Sequence, residues 1–144
     1  MATTGSVRLL EGVCFEATSG TGHTVLMDGA HDSGGRDAGM RPMEMVLLGL
    51  GGCSAFDVVT ILRRGRHAVS GCEVALEADR ADEPPRVFTS IRLHYRVRGT
   101  GLPPRAVERA IELSRDKYCS ASAMMAHTAK ITTSFEIREE PADA

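Results

Sequence analysis

Four cysteines, Cys14, Cys53, Cys72 and Cys119, are the side chains best suited to chemistry in this chain. A thiol attacks only as its thiolate, so the surroundings of each decide which of them counts. There is no Cys-x-x-Cys pair, and the four are too scattered for a structural zinc site. Cys72 alternates with Val74, Leu76 and Ala78 on an apolar strand face, which predicts a structural thiol. Cys14 falls on the more polar face of its strand and has no evident partner. Cys53 follows Gly51 and Gly52 in a long apolar segment, where Ser54 and Asp57 would cap a helix restarted after a break. Unpaired backbone N–H groups at such a break would favour a thiolate. Cys119 stands two residues after Lys117 and directly before Ser120, the expected cap of a short helix. On the residues alone, core packing and thiol reactivity are both open for Cys53 and Cys119.

Other chemistry is excluded or poorly supported. No phosphate loop, dinucleotide fingerprint or serine-nucleophile elbow is present, so no cofactor is expected. Asp28, His31 and Asp32 read as a solvated turn rather than a metal site. Seventeen basic and nineteen acidic residues leave a net charge of −2, with no general attraction for nucleic acid or an anionic membrane. The N-terminus has no basic segment followed by an apolar run, which predicts a cytoplasmic, reducing location. The apolar stretch from Met45 to Phe56 stops at Asp57, short of the roughly 20 residues of a bilayer span. With no tryptophan, two tyrosines and four phenylalanines, the core must be built from aliphatic side chains and seven methionines.

The elements that must position the cysteines follow from periodicity. Alternation around Val7 and Leu9, then Val13 to Ala17, then Val25 and Met27 predicts three short strands separated by glycine-rich turns. Residues 30–41 form a loop. Pro42 opens a long helix with Glu44 in its first turn, ended by Arg63, Arg64 and Arg66, with Gly65 as the cap. Gly49, Gly51 and Gly52 inside it imply either a closely packed neighbouring backbone or an interruption. Strands near Ser70–Asp79 and Val87–Arg98 form a hairpin that sets Glu73, Glu77 and Asp79 beside Arg92, His94, Arg96 and Arg98. Pro103-Pro104 starts an amphipathic helix carrying Val107, Ala110, Ile111 and Ser114. A break at Tyr118–Ser120, a short helix and a last strand, Ile131–Ile137, complete the order βββ-α-ββ-αα-β. The class is α+β with an antiparallel sheet, in one domain over residues 1–144 ending in a tail at 140–144.

Pro42 through Ser54, followed by Asp57-Val58-Val59, resembles the cysteine helix of the OsmC-like proteins, and Lys117-Tyr118-Cys119-Ser120 resembles that family's second-cysteine motif. The similarity runs from about Arg8 to Ile137 and points to the YhfA-like branch. It implies an intertwined homodimer built on long central helices. It also implies the thiol-dependent reduction of organic hydroperoxides found in the organic hydroperoxide resistance proteins and osmotically inducible peroxidases, a stress-defence activity. In that role Cys53 would be the peroxidatic cysteine and Cys119 would resolve it as a disulfide, later reduced by an external dithiol. The family's peroxidases carry a glutamate directly after the proline that helps hold an arginine over the thiol. Here Met43 takes that position and the carboxylate is Glu44, turned about 100° around the helix. Arg41 is assigned the arginine role, with Arg36 the other candidate. The competing expectation is a non-enzymatic dimer of the same fold that holds a small apolar ligand.

Overall fold

The computed structural model describes residues 1–141, which form two compact units, one from Met1 to Leu47 and one from Leu48 onward. In the first, β1 (Gly5–Glu11), β2 (Cys14–Ser19) and β3 (Thr24–Met27) make an antiparallel meander. A single 3-10 turn, His31–Ser33, interrupts the loop that follows. That loop is ordered from within. The buried Asp28 carboxylate accepts from the backbone N–H groups of Gly29 (2.7 Å), Arg36 (3.1 Å) and Ala38 (3.1 Å).

Helix α1 (Pro42–Arg64) begins with Pro42 at its first position, where the missing N–H costs nothing. Glu44 Oε1 accepts the Arg41 backbone N–H at 2.8 Å, half of a capping box. At the other end the left-handed residue is Arg66 (φ 64°) rather than Gly65. His67 N–H donates to Leu62 O and Arg66 N–H to Arg63 O, the paired bonds of a Schellman turn. Between these ends α1 is unbroken, so no restart occurs at Cys53. Of the two accounts of its glycines, close approach is the one realised, and only at Gly51: a Cβ there would lie 2.7 Å from Leu76 Cδ1, a side chain and not a backbone.

In the second unit β4 (Ala68–Arg80) pairs antiparallel with β5 (Phe88–Thr100), in the register the charges predict. Glu73 faces Arg96 and Glu77 faces Arg92, with ion pairs of 2.8 and 2.7 Å. These pairs are solvent-exposed and select register more than they add stability. The last strand, β6 (Lys130–Glu139), joins β5 in parallel, not in the antiparallel arrangement expected. The crossover through α2 (Pro104–Leu113) and α3 (Ser120–Met125) supplies the length that a parallel connection needs. Residue 140 of the expected tail is tied down, since Glu140 N–H donates to Gly99 O (2.8 Å) and its carboxylate meets Ser70. Residues 142–144 lie outside the described residues.

The core of the second unit takes Leu50, Val58 and Leu62 from α1, Ile91, Leu93, Tyr95 and Val97 from β5, and Val107, Ala110 and Ile111 from α2. By length and composition α1 could cross a bilayer, so length does not exclude a span as the shorter apolar stretch suggested. Its buried row, Leu50, Gly51, Ser54, Val58 and Leu62, has the spacing of a helix laid on a protein core. Gly51→Ala should lower the unfolding free energy in urea by about 1 kcal/mol, overpacking at Leu76 outweighing the gain in helix propensity. The Gly51→Ala/Leu76→Ala double variant should lose less than the sum of the two single losses, because the truncation makes room for the new methyl.

Candidate active site

Cys53 and Cys119 come together in the second unit. Cys53 sits half-buried in the middle of α1, and Cys119 is buried, 2% exposed, at the junction ahead of α3. Neither is in a disulfide, and they lie close enough for Cys53 to raise the Cys119 thiol's affinity for its proton. The segment between α2 and α3 is a single π-helical turn, Ser114–Tyr118, closed by the Cys119 N–H donating to Ser114 O at 2.8 Å. Such turns recur where a helix re-aims a functional side chain. Cys119, not Ser120, is the N-cap of α3, and its Sγ accepts the Ser122 N–H at 3.3 Å. Burial pushes the Cys119 thiol up from its ordinary value; the Ser122 hydrogen bonds counter this, and the neighbouring Cys53 thiol adds to it. A thiol held protonated in this way suits the resolving role rather than the first attack.

The other two cysteines are elsewhere. Cys14, expected on the more polar face, is buried at the start of β2. Cys72 is half-buried on β4, and burial pushes its thiol up. Arg41 and Glu44 come together in the first unit, through the cap described above. The Arg41 guanidinium is held by Asp37 Oδ1 at 2.8 Å and by Gly39 O at 3.2 Å. Arg36 bridges to Glu11 at 3.2 Å. Among the described residues no group of His, Cys, Asp or Glu side chains is arranged to hold a metal.

A chain of buried hydroxyls next to the cysteines is absent from the sequence expectations. Ser54, adjacent to Cys53, meets Tyr95 Oη at 2.6 Å and Ser114 Oγ at 2.9 Å, and Ser114 Oγ donates to Asp57 Oδ2 at 3.0 Å. Instead of capping a restarted helix, Ser54 and Asp57 serve this cluster from a continuous one. Leaving one such group unpaired in a core costs about 1–3 kcal/mol, and among the described residues no buried side-chain polar atom is unpaired. The sequence signal for it is the placing of hydroxyls at apolar positions, Tyr95 on the inward face of β5 and Ser114 on the Val107–Ile111 stripe.

Thiol labelling should expose the asymmetry of the two cysteines. Iodoacetamide modification of Cys119, followed by peptide mass mapping, should reach half its limiting rate at a higher pH than the same cysteine in urea-unfolded chain. The reason is that the folded thiol holds its proton more tightly than the unfolded one. Coincident profiles would contradict the burial argument.

Comparison with known proteins agrees with this architecture. Residues 34–134 match the model of the family of OsmC-like proteins. Protein YhfA of Escherichia coli K12 is 49% identical over 131 residues, covering 91% of this chain and 95% of its own length. A hypothetical protein from Aquifex aeolicus VF5 superposes with a TM-score of 0.86 at 26% identity, covering 98% of this chain and 99% of that one. An organic hydroperoxide resistance protein OsmC from Legionella pneumophila superposes at 0.71 with 14% identity over 94% and 97% of the two chains, a likeness of fold alone. The chain belongs to the family of OsmC-like proteins.

Proposed function

We propose that this protein is a cytoplasmic, homodimeric thiol peroxidase acting on organic hydroperoxides. The observation that carries the reading is the nearness of two free thiols, one half-exposed on α1 and one buried at the start of α3. Cys53 attacks the terminal peroxide oxygen; the O–O bond breaks, the alcohol leaves with a proton, and Cys53 becomes a sulfenic acid. Cys119 sulfur then attacks the sulfenic sulfur. Its proton leaves with the hydroxyl as water, and a Cys53–Cys119 disulfide forms, which an external dithiol returns to two thiols. The family resemblance assigns Arg41 and Glu44 the supporting roles, and within the first unit the two are joined to each other. Glu44 acts through the cap on the Arg41 backbone, and Asp37 holds the guanidinium.

One equivalent of cumene hydroperoxide should remove two of the four titratable thiols, and peptide mapping should find Cys53 joined to Cys119. Cys53→Ser should abolish the reaction, and Cys119→Ser should leave a sulfenic acid that dimedone traps at Cys53. No consumption of hydroperoxide, or modification confined to Cys14 and Cys72, would refute the assignment.

The dimer is supported by apolar surface that a single chain leaves open. On α1, Phe56 is 73% exposed, and Gly49 and Gly52 lie on the same stripe with open space, clear to 4 Å, where a Cβ would stand. On the N-terminal sheet Val7 and Leu9 are exposed by 60% and 54%. Exposed apolar side chains on either unit are surface that association would cover. Gly49→Leu should therefore convert a dimer into monomer or aggregate in light scattering, and a wild-type monomer at micromolar concentration would exclude the proposal. One feature favours the ligand-binding reading: a cavity of about 390 Å³ lined by Gly52, Ala55, Phe56, Val59 and Cys72 among others, within the range of small-molecule sites. Native mass spectrometry of protein taken from cells would show a retained apolar molecule.

A further inference from the structure

We infer that the buried hydroxyl chain Tyr95–Ser54–Ser114, ending on Asp57, is a positioning device that sets how closely Cys119 is presented to Cys53. This rests on the reading of those two cysteines as the reacting pair.

The chain has a direction. A carboxylate oxygen only accepts, so the Ser114 O–H is committed to Asp57 Oδ2 at 3.0 Å. Ser114 Oγ is then the acceptor for the Ser54 O–H at 2.9 Å, and Ser54 Oγ is the acceptor for the Tyr95 O–H at 2.6 Å. The competing bond from Ser114 Oγ to Ser54 O is the longest of the set, at 3.5 Å. Each hydroxyl that donates is a better acceptor for the next, so the links reinforce one another.

Its two middle members are linked to the cysteines through the backbone. Ser54 follows Cys53 on α1. Ser114 opens the π-helical turn, and its carbonyl holds the Cys119 N–H at 2.8 Å. Among the described residues, the hydrogen bonds between oxygen atoms that join α1 to the α2–α3 segment all end on Ser114. A displacement of Ser114 therefore carries Cys119 with it, while α1 keeps Cys53 in place. Satisfying a core does not require this arrangement, since apolar residues of similar shape at all these positions would be close to neutral. The hydroxyls instead form a line that leads from one cysteine's neighbour to the other's support.

The test is the equilibrium of the Cys53–Cys119 disulfide in a glutathione redox buffer, which needs no peroxide. The readout is the pair's effective concentration. Ser114→Ala should lower it about tenfold or more, equivalent to one lost buried hydrogen bond. Tyr95→Phe, which removes only the far end of the chain, should lower it less. Asp57→Asn, which keeps an acceptor oxygen, should stay nearer to wild type than Asp57→Ala. Leu62→Ala, a core truncation on α1 outside the cluster, should lose stability in urea but keep the wild-type effective concentration. An unchanged value in folded Ser114→Ala, or an equal loss in Leu62→Ala, would overturn the inference. Failure of the wild type to form this disulfide would overturn the pairing of the cysteines and the device with it. A disulfide that forms in glutathione but not with hydroperoxide would remove the peroxidase activity and leave the device standing.

Discussion

A hydroxyl in an apolar core must find a partner, and that requirement organises the second unit. Ser54 lies on the buried row of α1 between Leu50 and Val58, where water is absent. It is accommodated here by Tyr95 from β5 and Ser114 from the end of α2, both at hydrogen-bonding distance. This ties one helix, one strand and one turn to a common point and makes their relative placement far less negotiable than apolar contact alone. The cysteines lie at the edge of this point, Cys53 next to Ser54 and Cys119 with its N–H on the Ser114 carbonyl.

Thiol chemistry explains why such rigidity is useful. Sulfenic acid is exposed to further, irreversible oxidation, and the safeguard is a resolving thiol already in place. Cys119 is buried, caps α3 by accepting the Ser122 N–H, and has its thiol pushed up by burial, features that fit the second step of the proposed reaction better than the first. Cys53 is the more accessible of the two. In the proposed reaction the division of labour would come from burial, with the same functional group on both sides.

The first unit shows the same economy in a loop. Asp28 gathers three backbone N–H groups from residues 29–38. Burial alone would push its carboxyl up, but the amides of Ala38, Gly29 and Arg36 and the charge of Arg36 bring it below the usual range. The loop ends in Arg41, whose backbone is capped by Glu44 and whose guanidinium is clamped by Asp37. An arginine fixed in this way loses less conformational entropy on meeting a ligand than a free one.

Much of this protein is written in local pattern. Period-two alternation marks the strands, Pro42 and the terminal arginines bound α1, and the acidic and basic faces of β4 and β5 state their register. The resemblance of the motifs around Cys53 and Cys119 to those of the OsmC-like proteins points to that pair among four cysteines, and the fold brings the two near each other. What periodicity reports is whether a residue is buried, not against what. The parallel pairing of β6, the unbroken course of α1 past Cys53 and the use of Gly51 by Leu76 depend on partners distant in the chain. The hydroxyl chain is the clearest instance, since Ser54 meets residues 41 and 60 positions away. A serine carries no local sign of the tyrosine it will need; only the packed fold brings the two within 2.6 Å.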